Sequence, residues 1–485
     1  MIGLDAAELS FIHQYAEKLP VLSRLLAVAP AKQLESTAAQ LAGSVWPTFY
    51  TGKMPGEHGI YHHLQWDQSA MRLRRVTDQW LWAEPFWYEF ERRGKRVVSI
   101  DVPMTFPSRL SQGTEVINWG SHDTLSATSA SPDGLRQEIR KRFGAHPMGC
   151  EIPVNKTDAE LELIRANLVA GARRKGEVSR WLAERAPWDF FLTVFGETHR
   201  GGHILWPDRG ADASSATALL DVYRAVDDAV GHLLDSPTMK DATIVLFALH
   251  GMGENISQEH FVPKVVDRLN AAYAGHTPAD NGESSTAAKP HGQRSVMRLL
   301  REKLPAGLQN TIARAVPVGV RDFVVNRSVT GGHDWASTPG LALLADLHGY
   351  FRFNLRGRES AGAMAPGSHE FDRYRELVRS AFEALRVSET GKPLVKEIIF
   401  TSEAFPGPRT QHLPDVIMSW HVAEQASEIH SSQLGKIQAM PATGRSGNHR
   451  PHGFVSVVND QSEFQQDVTH IAHLAGLAKH VCNGQ

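Results

Sequence analysis

Apolar and polar positions along the chain switch repeatedly between two periods. Short, nearly unbroken apolar runs occur at 1–5 (MIGLD), 96–103 (RVVSIDVP), 188–197 (WDFFLTVFGE), 243–251 (TIVLFALHG) and 414–420 (PDVIMSW). Such runs, without alternation, predict strands buried on both faces, as in a parallel sheet. Between them lie amphipathic stretches at 157–186 and 213–235 that predict helices. The alternation predicts an α/β fold, a doubly wound and mostly parallel central sheet with helices on both faces. Ligands of such a sheet sit outside the carboxyl ends of its strands. The residues that end each apolar run are therefore the first candidates for chemistry.

Two regions break the pattern. Residues 275–295 are polar and rich in Gly, Ser and Pro, and read as a mobile loop. The segment after it, to about 330, reads as an inserted cap element. Residues 350–356 (YFRFNLR) alternate like a strand. The expectation is one α/β domain over 1–485, with insertions at about 61–130 and 255–340 roofing the site. The loops at 62–67, 102–107 (VPMTFP) and 117–123 (INWGSHD) would set specificity.

Charge and composition narrow the function. The 485 residues carry a net charge of −2, which gives no global field for a nucleic-acid polymer or an anionic membrane. No apolar run reaches the length of a membrane span, and the N-terminus lacks a secretory pattern, so the expectation is a cytoplasmic protein. The two cysteines, Cys150 and Cys482, argue against a disulfide framework or a thiolate metal site. The oligomeric state stays open. The 24 histidines stand out, and several fall at strand ends.

Asp5 ends the first run. It reads either as a ligand or as the start of a helix-capping box with Glu8. Ser44 lies before an apolar helix start, in a segment that continues into Thr51-Gly52 and His58-Gly59. "GETHRGGHILWP" (196–207) follows a strand directly. Its His199 and His203, four apart, would share one helix face and chelate one cation, with Glu197 as a further ligand. His250 ends the fourth run with Gly251 and Gly253 behind it. His449 and His452 lie in a Gly- and Pro-rich loop near the C-terminus.

In order, "GLDAAE", "SVWPTFYTGKMPGEHGI", "ETHRGGH", "LHGM" and "SGNHRPHG" resemble the alkaline phosphatase superfamily, in its type I phosphodiesterase/nucleotide pyrophosphatase branch. Softer matches are "VPMTFP", "RFNLRGRE" (352–359) and "PDVIMSW". The resemblance implies an alkaline phosphatase-like fold and a hydrolase of phosphate esters, of phosphodiester or nucleotide pyrophosphate type. It implies one or two divalent ions, zinc or alternatively manganese, flanking a small anionic ester. The metal ligands it implies are Asp5, Glu197, His199, His203, His250 and His449, with Ser44 as nucleophile. Arg356, Arg358, Arg445 and Arg450 could pair with the substrate, although each reads individually as a surface salt bridge.

Three positions depart from the pattern. Leu249 stands where the family has an acid before the histidine. The usual register of the nucleophile falls on Ala42, two residues before Ser44, with Thr37 and Thr48 as weaker hydroxyls. The acid of the first metal falls on His199, with Glu197 nearby. Three readings remain: a rearranged two-metal hydrolase using Ser44, a single-metal hydrolase with an activated water, or a catalytically impaired metal-binding protein.

Overall fold

The computed structural model describes residues 1–149, 156–207, 213–275, 318–331, 333–421, 424–441, 444–459 and 467–483. The central sheet has eight strands: β1 (Ile2–Leu4), β2 (Lys32–Glu35), β3 (Val97–Ile100), β4 (Thr114–Ile117), β5 (Ser129–Ser131), β6 (Phe190–Phe195), β7 (Ile244–Ala248) and β8 (His452–Val458). Their order is β2-β8-β7-β1-β6-β3-β4-β5. The five inner strands from β7 to β4 run parallel, and β8 and β5 are antiparallel to their inner neighbours. Four of the apolar runs form β1, β3, β6 and β7 of these inner strands because both faces are covered. β1 and β6 are buried throughout, between one apolar cluster that includes Leu168, Val226 and Phe195 and another that includes Phe49, Val194 and Phe247.

Four helices position the site. They are α1 (Val45–Thr51), α2 (Asp158–Arg185), α3 (Glu197–Leu205) and α4 (Ala213–Leu234). The long helix α2 starts where Thr157 accepts from the Glu160 amide and Glu160 accepts from the Thr157 amide, closing both orphan donors. α1 ends at Gly52, whose φ of +65° is open to glycine at little cost.

One expected parallel strand behaves differently. Val416–Trp420 lies inside a separate four-stranded sheet, antiparallel to Gly349–Phe353 and to Val395–Phe400. Its apolar run reflects burial beneath Phe351, Tyr374 and Phe382, and an apolar run alone does not reveal strand direction. The expected strand at 350–356 is Gly349–Phe353 of this sheet.

The expected insertion at 61–130 divides. β3, β4 and β5 belong to the central sheet, and the Leu64–Asp67/Arg72–Arg75 hairpin stands outside it. The second insertion, as far as it is described, meets that hairpin. Arg75 pairs with Asp322 at 2.9 Å, and the Leu73 amide donates to Asn326 Oδ1 at 3.2 Å, both partners lying on the helix Val318–Thr330. The expected loop at 275–295 lies outside the described residues from 276 onward.

Candidate metal centre

The strand ends converge. Asp5 follows β1, His122 follows β4, His199 and His203 lie on α3 just after β6, and His250 follows β7. His449 lies on a short strand, Gly447–Arg450, paired with Gly251–Glu254, so Met252 sits opposite it. Since β8 runs against its parallel neighbours, this strand enters the sheet at the same end.

Among the described residues, two groups of potential ligands result: His199, His203 and His449, and Asp5, His122 and His199. In the first, His199 Nε2 is 2.8 Å from His203 Nε2 and 3.0 Å from His449 Nε2. In the second, Asp5 Oδ2 is 3.3 Å from His122 Nδ1 and 3.3 Å from His199 Nδ1, and the two Nδ1 atoms are 3.0 Å apart. His250 Nε2 lies 3.9 Å from Asp5 Oδ1.

Outer contacts fix the rings. His203 Nδ1 meets the Gly447 carbonyl at 2.9 Å, and His250 Nδ1 meets the Gly251 carbonyl at 2.9 Å. A carbonyl only accepts, so each Nδ1 carries the proton and each Nε2 offers its lone pair to the centre, as metal-binding histidines do. Asp5 does not cap a helix, because Glu8 is itself the cap of Leu9–Gln14. Its Oδ1 accepts from Trp46 Nε1 at 3.2 Å, while its buried Oδ2 receives no hydrogen bond.

The electrostatics agree. Burial alone would raise the Asp5 carboxyl, but the imidazoles of His199, His122 and His250 hold it down at about 2. Burial lowers His250 to about 4 against the pull of Asp5. Burial, aided by Arg445 at His203 and by neighbouring imidazoles at both, puts His203 and His449 well below the ordinary histidine range. The centre thus combines an ionised Asp5 carboxylate with His203, His250 and His449 rings that burial favours in the neutral form, the forms that bind a divalent cation. The orphaned Oδ2 among these rings fits such an ion.

The family model for type I phosphodiesterase / nucleotide pyrophosphatase matches residues 1–322. The chain belongs to this family. It is therefore a phosphoester hydrolase of the phosphodiesterase and pyrophosphatase type, within the alkaline phosphatase superfamily. Solved structures share its fold. Phosphonoacetate hydrolase from Sinorhizobium meliloti 1021 in complex with phosphonoformate matches at a TM-score of 0.53 and 14% identity, over 99% of this chain and 94% of that one. Murine ectonucleotide pyrophosphatase / phosphodiesterase 5, an inactive variant in complex with AMP, matches at 0.51 and 12%, over 100% and 94%. No curated relative matches the sequence. No described helix is long and apolar enough to cross a membrane.

Against the type I phosphodiesterase pattern, three positions stand apart from the cluster. Glu197 turns away: its Oε1 bonds His146 Nε2 at 2.8 Å in a buried pair. Two residues on a helix are about 200° apart, so Glu197 and His199 face opposite ways. Ser44 is fully buried in the turn before α1, with its hydroxyl 2.6 Å from the Leu41 carbonyl and 2.8 Å from Thr37 Oγ1. Leu249 sits in the apolar cluster that holds Trp46, Phe49 and Phe247.

Other motif residues are structural. His58 Nδ1 accepts from the Ile60 amide and its Nε2 meets Thr48 Oγ1 at 3.0 Å. Arg358 pairs with Asp415 and Glu359, Arg445 pairs with Asp346, and Arg450 donates to the Glu254 carbonyl. His452, an exposed residue, opens β8. His122 and Trp46 entered the sequence reading only inside longer motifs, and neither has a periodic signal that would single it out.

Proposed function

We propose that the protein hydrolyses a small anionic phosphoric ester, a phosphodiester or a nucleotide-type pyrophosphate, with divalent metal held by His199, His203 and His449 beside Asp5 and His250. The observation that carries this is the convergence of the Asp5 carboxylate with the imidazoles of His199, His203, His250 and His449 at the carboxyl ends of β1, β6 and β7. Zinc suits that donor set, with manganese the alternative. Divalent ions bound there supply charge neutralisation at the phosphoryl oxygens and lower the pKa of a nucleophile.

The chain's own residues orient the site. Gly447 and Gly251 fix the imidazole tautomers of His203 and His250, and Trp46 holds Asp5 by one oxygen so that the other faces the rings. The hydroxyl of Ser44 is committed to Leu41 and Thr37, and no hydrogen bond joins it to Asp5 or to any of the ligand histidines. This favours attack by water over a seryl intermediate.

The test is hydrolysis of bis-p-nitrophenyl phosphate and of a nucleoside pyrophosphate by the full chain, alongside elemental analysis. The expected result is a bound zinc-like ion and turnover that a chelator abolishes and added zinc or manganese restores. Absence of any bound ion, with no turnover after metal addition, overturns the reading.

A further inference from the structure

His199 belongs to both ligand groups, and through different atoms. Its Nε2 faces His203 and His449, and its Nδ1 faces Asp5 and His122. Resting on the metal reading above, the geometry points to two ions joined by the single imidazole of His199, with His122 as the ligand that rebuilds the second site where Leu249 and Ala42 supply none.

The second triangle has the right dimensions. Four-coordinate zinc with metal–nitrogen bonds of about 2.0–2.1 Å spaces its ligand atoms about 3.3 Å apart. Asp5 Oδ2, His122 Nδ1 and His199 Nδ1 lie 3.0–3.3 Å from one another. Their alternative is hydrogen bonding, yet Asp5 Oδ2 is buried and receives no hydrogen bond. A buried carboxylate oxygen 3.3 Å from each of two imidazole nitrogens, themselves 3.0 Å apart, is an arrangement a cation completes.

His122 is also held as a ligand needs to be. Its Nε2 faces Asp123 Oδ2 at 3.8 Å, an outer carboxylate behind the ring. Its loop is pinned from below by Asp101, which accepts from the Trp119 and Gly120 amides and the Ser121 hydroxyl at 2.7–2.8 Å. Asp101 is buried against Lys175, which closes the charge. The chain therefore builds a rigid turn that delivers one imidazole to Asp5.

The bridge has a consequence that a pair of ions sharing carboxylate or hydroxide would lack. A ring bound through both nitrogens carries no proton, so loading the second ion releases one to solvent. Two ions on opposite nitrogens of one ring sit about 6 Å apart, given those bond lengths. Paired catalytic ions usually sit about 3.5–4 Å apart.

The experiment is metal counting and copper spectroscopy on the full chain, with His122→Ala, His122→Gln and His203→Ala, each checked for an unchanged circular dichroism spectrum. Two ions per chain are expected in the wild type and one in each folded variant. With copper(II) in both sites, magnetic coupling through the imidazole should suppress the wild-type electron paramagnetic resonance doublet. An uncoupled doublet should return in His122→Gln. Two ions retained in both His122 variants would overturn the ligand assignment, and two uncoupled copper signals in the wild type would overturn the bridge. One ion in wild type and His122 variants alike would overturn the second site while leaving the hydrolase reading standing. No ion in the wild type would overturn that reading itself.

Discussion

His203 Nδ1 donates to the carbonyl of Gly447 at 2.9 Å, tying the helix that carries two ligands to the strand that carries a third. The contact is close because residue 447 has no side chain: a Cβ there would run into the Gly202 carbonyl and the Trp206 side chain. Gly447→Ala should push Gly447–Arg450 away from α3 and loosen His203 without deleting a ligand. The expected effect is a loss of metal affinity of about 10–100-fold, the usual scale for an outer contact. Competition with a chelator of known affinity measures it, and an unchanged affinity would mean the two segments are aligned by other contacts.

Ser44 tests the nature of the nucleophile. Its hydroxyl donates within its own turn, so Ser44→Ala removes a buried hydrogen bond and no part of the metal centre. The expected cost is about 1 kcal/mol of stability, with turnover kept within about threefold, a barrier change under ~1 kcal/mol. A drop beyond about a thousandfold, some 4 kcal/mol of barrier, with metal content intact would restore Ser44 as nucleophile.

Lys175 and Asp101 form a buried pair, each almost fully removed from solvent. Burial raises the Asp101 carboxyl, and Lys175, helped by the Ser121 hydroxyl and His146, more than offsets it, holding it below the ordinary range. Lys175→Met strands that carboxylate and should cost about 3–5 kcal/mol. Asp101→Asn keeps an acceptor and tolerates the left-handed backbone at φ +59°. The double variant should recover at least about 1.5 kcal/mol of the sum of the single losses. Additive losses in denaturant unfolding would show that the pair contributes nothing as a pair.

What the sequence disclosed, and what it withheld, follows the range of the interactions. Four of the five inner strands and the helices at 157–186 and 213–235 were legible because burial on both faces and amphipathic spacing are local signals, whereas the short inner strand Thr114–Ile117 carried too brief an apolar run to stand out. His199 and His203 were legible because four residues is one helical turn. Glu197 was grouped with them by proximity in sequence, although helical geometry turns it toward His146. His122 was hidden because nothing periodic marks a loop, and its place depends on Asp101, Lys175 and the positive φ at Asp101. The most recognisable motif, TGKMPGEHGI, proves to be turn chemistry: Gly52 ends a helix, Glu57 accepts from the Met54 amide, and His58 bonds Thr48 and Ile60.

His58 therefore governs acid stability more than catalysis. Burial lowers its pKa to about 3 in the folded chain, against 6.5 for an ordinary histidine. The unfolded chain then binds the extra proton between those values. His58 contributes its full stability above pH 6.5 and loses it as pH falls from 6.5 toward 3. Wild type should lose up to about 1.4 kcal/mol per pH unit more than His58→Gln across that window. Denaturant unfolding at several pH values measures the difference, and parallel pH profiles for the two proteins would remove His58 from the account.

Leu249 decides whether the absent acid is a gap or a replacement. If its side chain merely stood where a carboxylate should, Leu249→Asp would create a ligand, and zinc would stabilise the variant more than the wild type by binding only its folded state. The packing argues otherwise, because Leu249 is 1% exposed and shares its cluster with Trp46, Phe49 and Phe247. A carboxylate there loses its water and gains no partner. Leu249→Asp should cost at least about 3 kcal/mol, and saturating zinc should raise its melting temperature by no more than it raises that of the wild type. Such a result would mean that the chain has given position 249 to its core and meets the metal from other residues. A larger zinc-dependent gain in the variant would instead mean that the leucine side chain can leave the core, and that the site still accepts the ligand it lacks.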